Sequence, residues 1–140
     1  MKKAITILLA ALMLLTLFAA CSKKKSSKSS NSLVGTWTLT GVADNEEMNA
    51  YYQSQLAAGA KMTITLNADK TAVLYSTDGS YEDTMNCTYT AENGKLTLNP
   101  PAEYADDDPE VMNYRIENGK LYLSQGEGQY SMTMIFEKNK

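Results

Sequence analysis

Two ten-residue stretches of this chain are near copies, and each carries the chemistry of a tight hairpin. Tyr89-Thr-Ala-Glu-Asn-Gly-Lys-Leu-Thr-Leu98 returns as Tyr114-Arg-Ile-Glu-Asn-Gly-Lys-Leu-Tyr-Leu123. A two-residue hairpin turn needs φ > 0 at both central positions, and Asn-Gly tolerates that best. Once the turn is fixed, so is the register. Ala91 then faces Leu96 and Tyr89 faces Leu98. In the second copy Ile116 faces Leu121, Tyr114 faces Leu123, and Arg115 pairs with Tyr122 on the other face. Glu92 and Lys95, and Glu117 and Lys120, stand opposite each other as charge pairs.

The same alternation runs through the rest of 33–140. Leu33–Val42 opens it, with Trp37 and Leu39 on one face. Lys61–Asn67, Thr71–Ser76, Met85–Ala91, 95–99, 111–117, 120–124 and Gln129–Glu137 continue it. Turn residues at Asn67–Lys70 and Asp78-Gly79 punctuate the run. One segment differs. Met48, Tyr51, Tyr52 and Leu56 recur at helical spacing between Asp44 and Ala60. Asp44 is the expected cap, with Glu47 three residues on, and Gly59 suits the exit. The expected helix has an apolar stripe that covers an open end of the sheet.

Eight hairpin-linked strands in 108 residues predict an all-β, antiparallel up-and-down barrel, with one short helix between strands 1 and 2. Closure removes every sheet edge. The expected inner face carries Met62, Ile64, Leu66, Val73, Cys87 and a series of Met and Tyr residues. Of these, Tyr75, Met85, Tyr89, Met112, Tyr114, Tyr130, Met132 and Met134 are the candidate ligand-binding residues. Met adapts to varied apolar shapes, and a buried Tyr hydroxyl needs a polar partner. An eight-stranded barrel is wide enough either to hold one small ligand or to fill with side chains. Both remain open at this point.

Gly35-Thr36-Trp37 on the first strand, followed by helix and seven strands, resembles the small bacterial lipocalin-like lipoproteins. The likeness to lipocalin and fatty-acid-binding barrels is more distant. The resemblance implies that Gly35 and Trp37 close one end of the barrel. It also implies a basic residue from a late strand stacked on the Trp. Arg115 is the only arginine, and its place does not match that role.

The N-terminus reads as an export address. Met1-Lys2-Lys3 precedes an uncharged run, Ala4–Ala20, which ends at Cys21. Leu17-Phe18-Ala19-Ala20-Cys21 resembles the lipobox of bacterial lipoproteins, with Phe18 where Leu is usual. That family adds diacylglycerol to the Cys thiol, cuts before it, and acylates the new amine, palmitate being the implied acyl group. The expected organisation is a signal peptide over 1–20, a lipidated Cys21 with a Ser/Lys tether over 21–32, and a barrel domain over 33–140. An uncleaved anchor and an ordinary secretory signal are the alternatives. The expected site of action is the extracytoplasmic side of a cell membrane, in the cell envelope.

Composition excludes several functions. The chain has no His, which removes the commonest general base and the usual zinc ligand sets. No nucleophile–base pair is visible, so no catalytic residue, metal or cofactor is expected, and the chain is not expected to be an enzyme. The acidic stretch 103–110 lacks the spacing of a calcium loop. Cys87 is left alone once Cys21 is lipidated, and its apolar face suits an inert thiol. The segment 33–140 holds seven basic against sixteen acidic residues, a net charge of −9, and will not track a phosphate backbone. Nucleic acid is therefore not a partner. The expected partners are the membrane, through Cys21, and a small apolar or amphipathic ligand in the barrel. The alternative is a packed barrel that binds or inhibits another envelope protein.

Overall fold

Both Asn-Gly turns form as read, with φ of 52° and 74° at Asn93 and Gly94 and of 52° and 77° at Asn118 and Gly119. The computed structural model describes residues 32–104, 108–126 and 131–140. Eight strands lie in chain order: β1 (Gly35–Ala43), β2 (Lys61–Leu66), β3 (Thr71–Thr77), β4 (Glu82–Glu92), β5 (Lys95–Asn99), β6 (Glu110–Glu117), β7 (Lys120–Gln125) and β8 (Met132–Lys138). A helix, α1 (Glu46–Ala57), lies between β1 and β2. Each strand pairs antiparallel with the next and β8 returns to β1, which closes the barrel.

The hairpin registers are those the turns require. Tyr89 faces Leu98 and Ala91 faces Leu96; Tyr114 faces Leu123 and Ile116 faces Leu121. The Arg115 guanidinium stacks 4.1 Å from the Tyr122 ring centroid. Glu92 stands opposite Lys95 and Glu117 opposite Lys120 as expected, but the close ion pairs form elsewhere. Lys120 reaches Glu137 on β8 at 2.8 Å, and Glu117 pairs with Arg115 on its own strand at 3.4 Å. A closed barrel gives β7 a second neighbour, and the lysine takes the carboxylate there. The next turn is held by Asp78, whose carboxylate accepts from the N–H groups of Ser80 and Tyr81 at 2.8 and 2.9 Å. These two bonds hold its carboxyl below the usual range.

Strand β3 runs in the opposite frame from the expected one. Ala72 and Leu74 face inward, and Val73 and Tyr75 do not. Register decides it: Ala72 sits between Leu66 and Cys87, and Leu74 between Ile64 and Met85. Those neighbours already point to the core, so β3 must match them. A bulge between Leu39 and Gly41 turns both Leu39 and Val42 inward, 3% and 4% exposed.

The helix forms, but its stripe does not bury. Met48 and Tyr51 are exposed, and Tyr52 packs against the core cluster from its edge. Asn45, not Asp44, is the cap; its Oδ1 accepts from the N–H of Met48 at 2.9 Å. Asp44 is spent on the turn out of β1, at φ 63°. Two amides dock the helix instead. Asn49 Oδ1 accepts from the Val42 N–H at 3.0 Å, and Gln53 Nε2 donates to the Thr40 carbonyl at 2.7 Å. Gly41 lies beneath them, and a Cβ there would come within 2.9 Å of Asn49 Oδ1. Asn49→Ala strands the buried Val42 N–H. It is expected to cost about 1–3 kcal/mol, read from the urea midpoint.

Closure pairs every strand on both sides within Leu33–Lys140, and the whole core cluster lies inside that unit. The unit therefore holds what it needs to fold alone.

Candidate functional site

The barrel is filled at one end and hollow at the other. Trp37, Tyr89, Phe136, Leu66, Leu96, Leu121 and Leu123 are all 2% exposed or less and make the filled part. Trp37 anchors its floor. The indole N–H donates to the Leu33 carbonyl at 2.8 Å, and the Lys138 ammonium lies 5.2 Å from the ring centroid. Trp37 and Lys138 are register partners across β1 and β8. The basic residue over the Trp is thus Lys138. Its stem also crosses Gly35, where φ is 138° and a Cβ would sit 2.5 Å from Lys138 Cε. Gly35 is needed for its backbone, because an L side chain is strained at that φ.

The other half holds a cavity of about 340 Å³. That lies at the lower end of the roughly 300–1,000 Å³ typical of small-molecule sites. Five methionines line it: Met62, Met85, Met112, Met132 and Met134. Ile64, Leu74, Leu98 and Phe136 complete the apolar wall, and Tyr52 reaches it from α1. Polar side chains gather toward one end. Ser76, Asp83, Glu110 and Gln125 each lie two residues from an inward Leu or Met on β3, β4, β6 and β7. A smaller space of about 130 Å³ adjoins it, sharing Leu74, Met85, Leu98 and Glu110 and adding Cys87.

Half of the eight candidate residues come together here. Met85, Met112, Met132 and Met134 line the cavity. Tyr75 borders it, but the β3 frame sets its side chain among Thr63 and Thr84, with Glu82 close enough to raise its hydroxyl pKa beyond what burial does. Tyr89 belongs to the filled end, because its hydroxyl already donates to the Asn67 carbonyl at 2.8 Å. Tyr114 packs at the edge of the core and does not line the cavity. Tyr130 and Cys21 lie outside the described residues, as do the signal and the tether. Sequence reasoning missed Tyr52, Leu74, Ser76, Asp83, Glu110 and Gln125. The turn-derived register would have found Glu110, two residues before Met112.

The model of the lipocalin-like domain family matches residues 33–108. The chain belongs to that family. No curated protein matches the sequence. Several solved barrels are similar to this lipocalin-like chain. A fatty acid transporter, REP1-NXSQ, is 10% identical, covering 77% of this chain and 96% of that one, at a TM-score of 0.45. Lipid binding protein 8 of Caenorhabditis elegans is 20% identical, covering 78% and 99%, at a TM-score of 0.41. Fatty-acid-binding protein 1 of Echinococcus granulosus is 11% identical, covering 77% and 98%, at a TM-score of 0.42.

Cys87 reports on this lipocalin-like interior. Burial pushes its thiol pKa up, and the charge of Glu110 pushes it further. Less thiolate is present at pH 8 than for a free cysteine, so iodoacetamide should modify it slowly. The rate should rise as pH climbs past the ordinary thiol value. Mass spectrometry of 33–140, where Cys87 is the sole cysteine, reads this directly.

Proposed function

We propose that this chain is a lipid-anchored, extracytoplasmic binding protein whose barrel holds one small apolar or amphipathic ligand. The observation that carries the binding is the hollow half of the barrel, walled by five methionines and four other apolar side chains. Methionine walls reshape around a guest at little cost. The activity proposed is binding, in keeping with a wall made mostly of apolar side chains. The anchor rests on the sequence Leu17–Cys21 and on the Lys-bearing tether behind it. Two or more acyl chains hold firmly where one would not.

Each half of this reading has its own test. For binding, 1-octanol is titrated into 33–140 while thermal unfolding is followed. A ligand that binds only the native state at ten times its Kd adds about 1.4 kcal/mol. For a domain of this size that raises Tm by roughly 5–10 °C. A Tm that never rises and shows no saturation would contradict the binding reading. For the anchor, the full chain is expressed in a bacterial host fed an alkyne-tagged palmitate. Label and membrane sedimentation are expected for the parent and lost in Cys21→Ser.

A further inference from the structure

The charges that face into the barrel are segregated along it. On β4 and β6, inward parity places Asp83 two residues before Met85 and Glu110 two residues before Met112. Both border the 340 Å³ cavity, and Asp108 borders the adjoining space with Glu110. The inward cation at the far end is Lys138, two residues after Phe136, and it is engaged with Trp37. Lys70 is likewise placed on the filled end, 5.2 Å from the Tyr89 ring centroid. Among the described residues no Lys or Arg lines the cavity. Lys61 neighbours Met62 and Lys95 neighbours Leu96, so both take outward parity. The undescribed internal residues, 105–107 and 127–130, contain no Lys or Arg either.

Resting on the binding reading above, we infer that the cavity selects amphiphiles with a cationic, amine-type head over those with a carboxylate head. An apolar tail would lie among the methionines, with the ammonium between Asp83 and Glu110. A carboxylate head would meet two like charges and no cationic partner. The Glu110 charge reaches the interior, since it adds to the rise that burial gives the Cys87 thiol. Because Asp83 and Glu110 are exposed, water and salt moderate their pull. Two carboxylates on one side of the cavity are expected to give a preference of about ten-fold at low salt, and less as salt screens them.

The test compares three ligands with the same tail at pH 7: octylammonium chloride, 1-octanol and sodium octanoate. Each is titrated into 33–140 by calorimetry, in 20 mM and 500 mM NaCl. The expected order is octylammonium tightest and octanoate weakest, with about a ten-fold ratio between them at low salt. High salt should shrink that ratio. In Asp83→Asn/Glu110→Gln the ratio should fall toward one, with native Trp37 fluorescence confirming the fold. Octanoate binding as tightly as octylammonium, or a ratio unmoved in the double variant, would overturn this inference and leave the binding reading standing. Failure of all three ligands, the uncharged alcohol included, would overturn the binding reading itself.

Discussion

Trp37→Ala is expected to remove about 3–5 kcal/mol of stability, the range for deleting a fully buried Trp. Few domains of this size can lose so much, since total stability is of order 5–15 kcal/mol. The side chain is fully buried, its N–H is bonded to Leu33, and Lys138 lies on its face. Alanine leaves a void at the closed end, an unpaired Leu33 carbonyl, and a lysine without its ring. The chain has one Trp, so fluorescence leaves with the mutation. Urea unfolding followed by far-UV circular dichroism is the suitable measure. Trp37→Phe keeps most of the packing but loses the hydrogen bond, and should fall between the two. A loss below about 1 kcal/mol for the alanine variant would mean that the floor of the barrel is not packed as described.

Met132→Trp should abolish ligand binding and leave the domain folded. Met132 lines the cavity, so the larger ring enters space that is already empty. Leu123 is the counter-case. It is fully buried in the filled half. Inserting bulk into a packed core costs typically about 1–3 kcal/mol, occasionally more. Leu123→Trp is therefore expected to lower the urea midpoint strongly, and Met132→Trp to change stability by less than about 1 kcal/mol. Octanol affinity should drop at least ten-fold in Met132→Trp. Equal destabilisation by the two substitutions would mean that the barrel is filled throughout.

What could be read from the sequence was whatever one local rule decides. The two Asn-Gly turns fix φ, φ fixes register, and register fixes which residues face which, as Tyr89–Leu98 and Tyr114–Leu123 show. The frame of β3 was not legible, because Ala72 and Leu74 compete with Val73 and Tyr75 and all are apolar. Only the pairing with Leu66 and Ile64 breaks that tie. The helix was legible from its spacing, but its mode of docking was not. Two side-chain amides reach the backbone of β1 across Gly41, and no periodicity encodes such bonds. The cation over Trp37 was legible in principle. Lys138 follows Phe136 by two residues at the end of the last strand, which places it on the inner face opposite the first. Whether the barrel is hollow was not legible, since a list of inward residues carries no volume. The gathering of methionines was the available hint, because all five that line the cavity stand on expected inward positions.

The most direct measurement is carbon-13 methyl NMR of 33–140 labelled at methionine. That segment has six methionines: five line the cavity, and Met48 is exposed on α1. Saturating octanol should move the resonances of Met62, Met85, Met112, Met132 and Met134 together, along one binding curve, and leave Met48 in place. Five unmoved cavity methyls, or shifts confined to Met48, would contradict a ligand site inside the barrel.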